Sequence, residues 1–179
     1  MHWPELRRLF CIFHASEHLA SWLLAAPLYT RGKVCHAYGM HIVLDTNVLY
    51  AGIRSSRGAS RVILELLVEG HLTAVLTPAL VLEYEERLCG DATLHGLGLT
   101  DADLVAFLDE LVTRSLRVRV YWLWRPVAPD PDDDMVVECA VNGRAEVIVT
   151  FNTRDLQPAY DRFGTLMLTP AAFLRRFGR

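Results

Sequence analysis

The sequence predicts an α/β fold with three layers, in which a mostly parallel central sheet lies between helices. Three observations predict it. Short apolar runs of strand length alternate almost throughout with segments of helical period. Prolines stand where helices should start, at Pro78 and Pro170, and glycines where they should stop, at Gly70, Gly90 and Gly143. The chain has 179 residues, 52% of them hydrophobic, which suits one domain with a real core and excludes disorder.

The elements follow in order. Residues 1–39 stand apart from the rest. The run "HLASWLLAAPLY" is apolar but too short to span a bilayer. Arg7 and Arg8 precede it as in a signal peptide, while Glu5, Glu17 and two histidines dilute that pattern. The segment reads as an extension, helical from about Pro4 to Leu24, or as the product of an early start codon. Met40 opens the domain, residues 40–179. Ile42–Leu44 is a β-rich run that reads as a central strand ending at Asp45, and "TNVLYAGIRSSRG" turns away from it. "ASRVILELLVEG" has helical spacing up to Gly70, and "LTAVLT" is a second strand. Pro78 then opens a helix that carries "ALVLEYEERLCG" to Gly90. Thr100 is a plausible N-cap for "DADLVAFLDELV". "LRVRVYW" alternates like a strand. After the aspartate run of "DPDDD", a helix spans Met135 to about Asn142. "EVIVT" is a buried strand, "NTRDLQPAYDRF" a loop and short helix, "GTLMLT" a last strand and "PAAFLRRF" a last helix.

Charge and cysteine usage narrow the function classes. A net charge of −3 gives no bulk attraction to nucleic acid, so any such contact needs a local basic patch. Cys11, Cys35, Cys89 and Cys139 lie far apart with no CxxC, which reads as free thiols in a reducing, cytoplasmic setting. No GxGxxG or GxxxxGK[ST] occurs, so the dinucleotide and P-loop readings lose their main support.

The acids are the informative feature. Asp45 ends the first strand. Asp132, Asp133 and Asp134 stand where the chain enters a helix, and Asn152 and Asp155 follow the "EVIVT" strand. Glu83 lies about a turn into the helix after the second strand. In a parallel α/β sheet all of these fall at the carboxyl edge, where such folds place their chemistry. Convergent carboxylates repel one another, and a divalent cation removes the conflict. Oxygen-only ligands suit Mg²⁺ or Mn²⁺ rather than Zn²⁺. The chemistry that follows is hydrolysis of a phosphodiester by metal-activated water. Each member also has a plain structural reading: a turn-capping aspartate at Asp45, helix caps at Asp132 and Asp133, a solvated helix face at Glu83 and a loop residue at Asp155. Function is therefore carried by the set and not by any one member.

"MHIVLDTNVLYAG", a mid-chain helix with Glu83, and "DPDDDMVVECAVNGRAEVIVTFNTRDL", in that order, resemble the PIN-domain ribonucleases. The nearest likeness is to the toxin components of bacterial toxin–antitoxin pairs. The resemblance runs from about Met40 to Phe173. It implies a compact α/β/α fold and a Mg²⁺- or Mn²⁺-dependent nuclease of single-stranded RNA, commonly a homodimer held inactive by an antitoxin. Asp45 matches the first metal-binding aspartate, Thr46 and Asn47 the small polar pair that braces it, Glu83 the mid-chain acid and Asp134 the third, with Asp133 the near alternative. The chain departs from the pattern at Asn152, two residues after Thr150, where the family often has an aspartate. Asp155 stands to supply the missing charge, as a fourth candidate ligand beside Asp45, Glu83 and Asp134. One-metal hydrolysis is the safer expectation.

Arg54, Arg57 and Arg61 in "GIRSSRGASR" are candidate phosphate contacts, with Arg144 and Arg154 weaker ones. Trp122 and Trp124 read as core or dimer packing in preference to base stacking, and Tyr84 and Cys139 as core. Two rival functions remain in view. One is a non-catalytic RNA- or protein-binding module with a weakened metal site. The other is a phosphatase, disfavoured because "LDTNVL" has asparagine where a DxDx[TV] loop needs its second aspartate.

Overall fold

The computed structural model describes residues 39–126 and 133–178. The N-terminal extension with its expected helix, and Asp132 of the aspartate run, lie outside the described residues. The elements are β1 (Met40–Leu44), α1 (Thr46–Arg54), α2 (Ala59–Val68), β2 (Leu72–Leu76), α3 (Pro78–Leu88), α4 (Ala92–Gly96), α5 (Asp101–Arg114), β3 (Leu116–Arg117), α6 (Asp134–Gly143), β4 (Val147–Val149), α7 (Gln157–Phe163), β5 (Leu166–Leu168) and α8 (Pro170–Phe177).

The strands form one parallel sheet in the order β3-β2-β1-β4-β5. Together with the helices it makes the three-layer α/β/α fold that the alternation predicts. β1 lies at the centre, and its Ile42, Val43 and Leu44 are fully buried, as expected of a parallel strand covered on both faces. From β1 the chain builds outward through β2 to β3, then returns to the other side of β1 to place β4 and β5. The order therefore reverses between β1 and β4. In open parallel sheets a crevice forms at that reversal, beyond the carboxyl ends of the two strands. The residues that emerge there are Asp45 and Thr150.

Local chemistry sets the helix ends. Thr100 caps α5 with a full capping box, its hydroxyl accepting from the Asp103 amide while the Asp103 carboxylate accepts from the Thr100 amide. Thr77 and Thr169 cap α3 and α8, each followed by the proline that opens its helix.

Three elements differ from the sequence expectation. The stretch after Asp45, expected only to turn away from β1, forms α1. Asp45 caps it by accepting from the Asn47 amide, and Val48, Leu49, Gly52 and Ile53 form its buried face. Asp91 nucleates the short, unpredicted α4 in the same way. "LRVRVYW" pairs with β2 only over Leu116–Arg117, with one further bond from the Val118 amide to the Leu76 carbonyl. The pairing stops because its partner stops: Thr77 is already a helix cap, and Pro78 has no amide to offer.

Gly143 does more than end a helix. It is the last residue of α6, and Arg144 beyond it, in the left-handed conformation at φ 50°, makes the stop. A Cβ on Gly143 would stand 2.2 Å from Val75 Cγ1 and 3.1 Å from Val118 Cγ2, so its bare Cα is what lets α6 approach β2. Gly143→Ala is expected to destabilise the fold by about 1–3 kcal/mol, the usual cost of overpacking a filled core. A denaturation midpoint equal to wild type would contradict that packing.

Candidate active site

Four segments are joined at the β1–β4 crevice by hydrogen bonds that run out on either side of the adjacent residues Asp45 and Thr46. The Thr150 hydroxyl, fully buried at the end of β4, donates to Asp45 Oδ2 at 2.5 Å. The Asn152 amide donates to the same hydroxyl at 2.8 Å. Asn152 Nδ2 in turn donates to Asp133 Oδ2 at 3.2 Å, which ties the end of β4 to the start of α6. On the other side of Asp45, the Thr46 hydroxyl donates to Glu83 Oε1 of α3 at 2.6 Å. Beneath them the Tyr84 hydroxyl donates to the Leu44 carbonyl at 2.5 Å, pinning the last turn of β1 to α3. Each threonine thus fixes the position of one carboxylate.

The electrostatics follow from burial. Asp45 is 5% exposed and Asp134 is 1% exposed. Burial raises the Asp45 carboxyl above its ordinary range, against the lowering effect of hydrogen bonds from Thr150, Asn47 and Thr46. Burial also pushes the Tyr84 phenol well above its usual value, with Cys139, Asp45 and Glu83 adding to the shift. The carboxylates of Asp45 and Glu83 therefore both act on the Tyr84 hydroxyl. Isolated from an ion, such a group of acids costs the fold stability.

The sequence-predicted residues distribute clearly. Asp45, Thr46, Asn47, Glu83, Asp133, Thr150 and Asn152 belong to the hydrogen-bonded set. Asp134, the first residue of α6, is the buried member of the Asp133–Asp134 pair. Asp133 occupies the cap position of α6 without a side-chain capping bond, contrary to the cap reading: its backbone is already helical, at φ −72° and ψ −22°, where a capping residue is extended, and its Oδ2 accepts from Asn152. Asp155 is half-buried in the turn after Asn152. Among the described residues, no three His, Cys, Asp or Glu side chains already stand together in metal-holding positions. The donors nevertheless suit an oxygen-seeking ion in kind, being carboxylates and hydroxyls without a histidine or thiol among them.

Arg54 and Arg57 are exposed as expected of phosphate contacts. Arg61 is not: it lies in α2, 8% exposed, with its Nε donating to Glu65 at 2.8 Å. The basic loop predicted from "GIRSSRGASR" is shorter than it reads, since α2 begins at Ala59 and draws Arg61 inward. Tyr84 and Cys139 are core, and burial pushes the Cys139 thiol up to about 12. Trp122, expected in the core or a dimer contact, is 66% exposed.

Sequence reasoning missed an ion pair beside the acids. Arg125 Nε and Nη2 donate to Glu138 Oε1 and Oε2 at 2.9 and 3.1 Å. Glu138 is 3% exposed, four residues after Asp134 on α6. The spacing was the available signal, because residues four apart share a helix face.

A family model of the PIN domain matches residues 41–154, well over half of the chain. The chain belongs to the PIN-domain family. The match takes in Asp45, Glu83, Asp134 and Asn152 and stops one residue short of Asp155. No curated protein matches the chain. PIN domains are generally nucleases, and they typically use divalent metals. Among the described residues of this PIN domain, no helix is long and apolar enough to cross a membrane.

Proposed function

We propose that this PIN-domain protein is a Mg²⁺- or Mn²⁺-dependent endoribonuclease that hydrolyses phosphodiester bonds of single-stranded RNA. The observation that carries the reading is the hydrogen-bonded set at the β1–β4 reversal, which links Asp45, Glu83 and the Asp133–Asp134 turn from four segments of the chain. Asp45, Glu83 and Asp134 would hold the ion, with Asp155 as a fourth candidate. A bound divalent ion supplies an acidified water and neutralises charge on a phosphoryl oxygen. The protein's own part is positional. Thr150 and Thr46 fix the carboxylates of Asp45 and Glu83, Tyr84 fixes the strand end beneath them, and Asn152 holds α6 against β4. Asn152 contributes no charge, which favours hydrolysis with a single ion.

The test is cleavage of a mixed RNA pool with Mg²⁺ or Mn²⁺ added back after chelation. Strand scission that appears with the ion and disappears on chelation supports the reading. Equal scission in chelator would sink it.

By the same family likeness we read the protein as the cytoplasmic toxin of a toxin–antitoxin pair, a homodimer restrained by its antitoxin. Growth arrest on expression, relieved by the product of a neighbouring gene, is the expected behaviour. Monomers at micromolar concentration in light scattering would count against the dimer.

One observation favours a second reading, a non-catalytic RNA-binding module: the acids are joined to hydroxyls and not gathered around a common centre among the described residues. RNA binding without cleavage across several metals would select it.

A further inference from the structure

The segment after β3 leaves the sheet and runs along α6. Asn142 and Glu138 hold it there. Asn142 Oδ1 accepts from the amides of Tyr121 and Trp122 at 3.0 and 3.2 Å, and Asn142 Nδ2 donates to the Trp122 carbonyl at 3.0 Å. One turn earlier on α6, Glu138 takes the Arg125 guanidinium. One turn earlier again stands Asp134. The three are spaced four residues apart, about 6 Å per step along one helix face. The strip therefore runs antiparallel to α6, with Trp122 at the far end and Arg125 nearest the acids.

What the strip presents is aromatic and cationic. Tyr121, Trp122 and Leu123 are 74%, 66% and 69% exposed. Trp122 lies 6.4 Å from the Trp124 ring, which meets Phe163 edge-on at 5.3 Å, and the exposed Arg162 sits over the Trp124 face at 5.1 Å. The Arg125 side chain keeps half its surface in solvent although its partner is buried. The two Arg125–Glu138 bonds use Nε and Nη2, and among the described residues Nη1 is left as a further donor. Main-chain bonds fix the backbone of an exposed indole, which lowers the ordering cost of anything that stacks on it.

We propose that residues 121–125, with Arg162, form a track for single-stranded nucleic acid that leads to the acids. Bases stack on Trp122, and a phosphate meets Arg125. The proposal rests on the nuclease reading for its substrate class. Two features favour nucleic acid over a protein partner: cations are interleaved with the rings, and the track is continuous with the carboxylate site through Glu138 and Asp134. Stacking is indifferent to base identity, so the track gives affinity with little sequence preference.

The test is fluorescence anisotropy of a short labelled oligouridylate with the full-length protein in chelator, where binding is read without cleavage. Trp122→Ala is expected to weaken binding about tenfold, the effect of losing one stacked base. Trp122→Phe should retain most of the affinity, which a purely structural role would not require. Arg125→Gln should weaken binding and lower its salt slope by about 0.7, one phosphate contact on a single strand. Trp122 is mostly exposed, so the melting temperature of Trp122→Ala should match wild type. Wild-type affinity in Trp122→Ala overturns the track, as does the absence of oligouridylate binding by wild type. Self-association that depends on Trp122, without oligonucleotide binding, overturns it in favour of a surface for protein. The two readings fail separately. Stacking-dependent binding without metal-dependent cleavage removes the nuclease and leaves the track. Cleavage with unaltered binding in Trp122→Ala removes the track alone.

Discussion

Asp45→Asn is expected to lower kcat/KM for RNA cleavage by at least about a thousandfold, since groups that act as a unit lose most of their effect together, and to leave the protein more stable at neutral pH. The first effect follows from the position of Asp45 at the centre of the hydrogen-bonded set, between Thr150 on one side and the Thr46–Glu83 pair on the other. The second follows from its burial. The carboxyl pKa is raised above 3.8, mainly by desolvation. A carboxyl whose folded pKa exceeds its unfolded value stabilises the fold in its protonated form. That contribution is fully present below pH 3.8 and is lost as pH rises through the folded pKa. At neutral pH the buried charge opposes folding, and the isosteric amide removes it, keeping one oxygen to accept from Thr150 while giving up the acceptor that caps α1 at Asn47. A gain of about 1 kcal/mol is expected, the scale of a single stabilising substitution. Thermal melts should show the gain at neutral pH and its disappearance in acid. A less stable variant at neutral pH would mean that the lost cap on α1 outweighs the relief of the buried charge.

Asp134→Asn is expected to match Asp45→Asn in its loss of cleavage, and the double variant to lose little beyond either one. Asp133→Asn should cost only about tenfold, as expected of a residue that orients others. Burial separates the two neighbours. Asp134 is 1% exposed at the first position of α6, while the half-buried Asp133 accepts from Asn152 through Oδ2. Parallel rate measurements on the three variants test the assignment. An Asp133→Asn loss as large as that of Asp134→Asn would reverse it.

The fold, and the edge at which most of the candidate site residues fall, were legible because both depend on local rules. β1, β2 and β4 read as continuous apolar runs because a parallel sheet buries both faces of its strands. Once the strands are placed, the carboxyl edge is fixed, and Asp45, Glu83, Asp134 and Thr150 fall there by topology alone. What failed depended on where a neighbour ends. Alternation in "LRVRVYW" is a property of any half-buried extended chain, and only the end of β2 at Thr77–Pro78 decides that two residues pair and the rest depart. Arg61 counted with the basic loop although helical spacing already begins at Ala59; what the spacing does not tell is that Arg61 lies on the buried face of α2, paired with Glu65. Of the two readings of Trp122, core or dimer packing, exposure removes the first, which rested on aromatic residues being usually buried. The amide of Asn142, twenty residues away, is what holds its backbone out on the surface. The Arg125–Glu138 pair was hidden for a similar reason, since helical spacing places Glu138 beside Asp134 but does not supply its partner.

The central claim is that side-chain oxygens from β1, α3 and α6 form one divalent-cation site. Calorimetric titration of Mn²⁺ into chelator-treated wild type, Asp45→Asn and Asp134→Asn tests it most directly. Wild type should take up about one ion per chain, and both variants should lose that binding while melting as cooperatively as wild type. Identical Mn²⁺ isotherms for all three proteins, or no uptake by folded wild type, would contradict it.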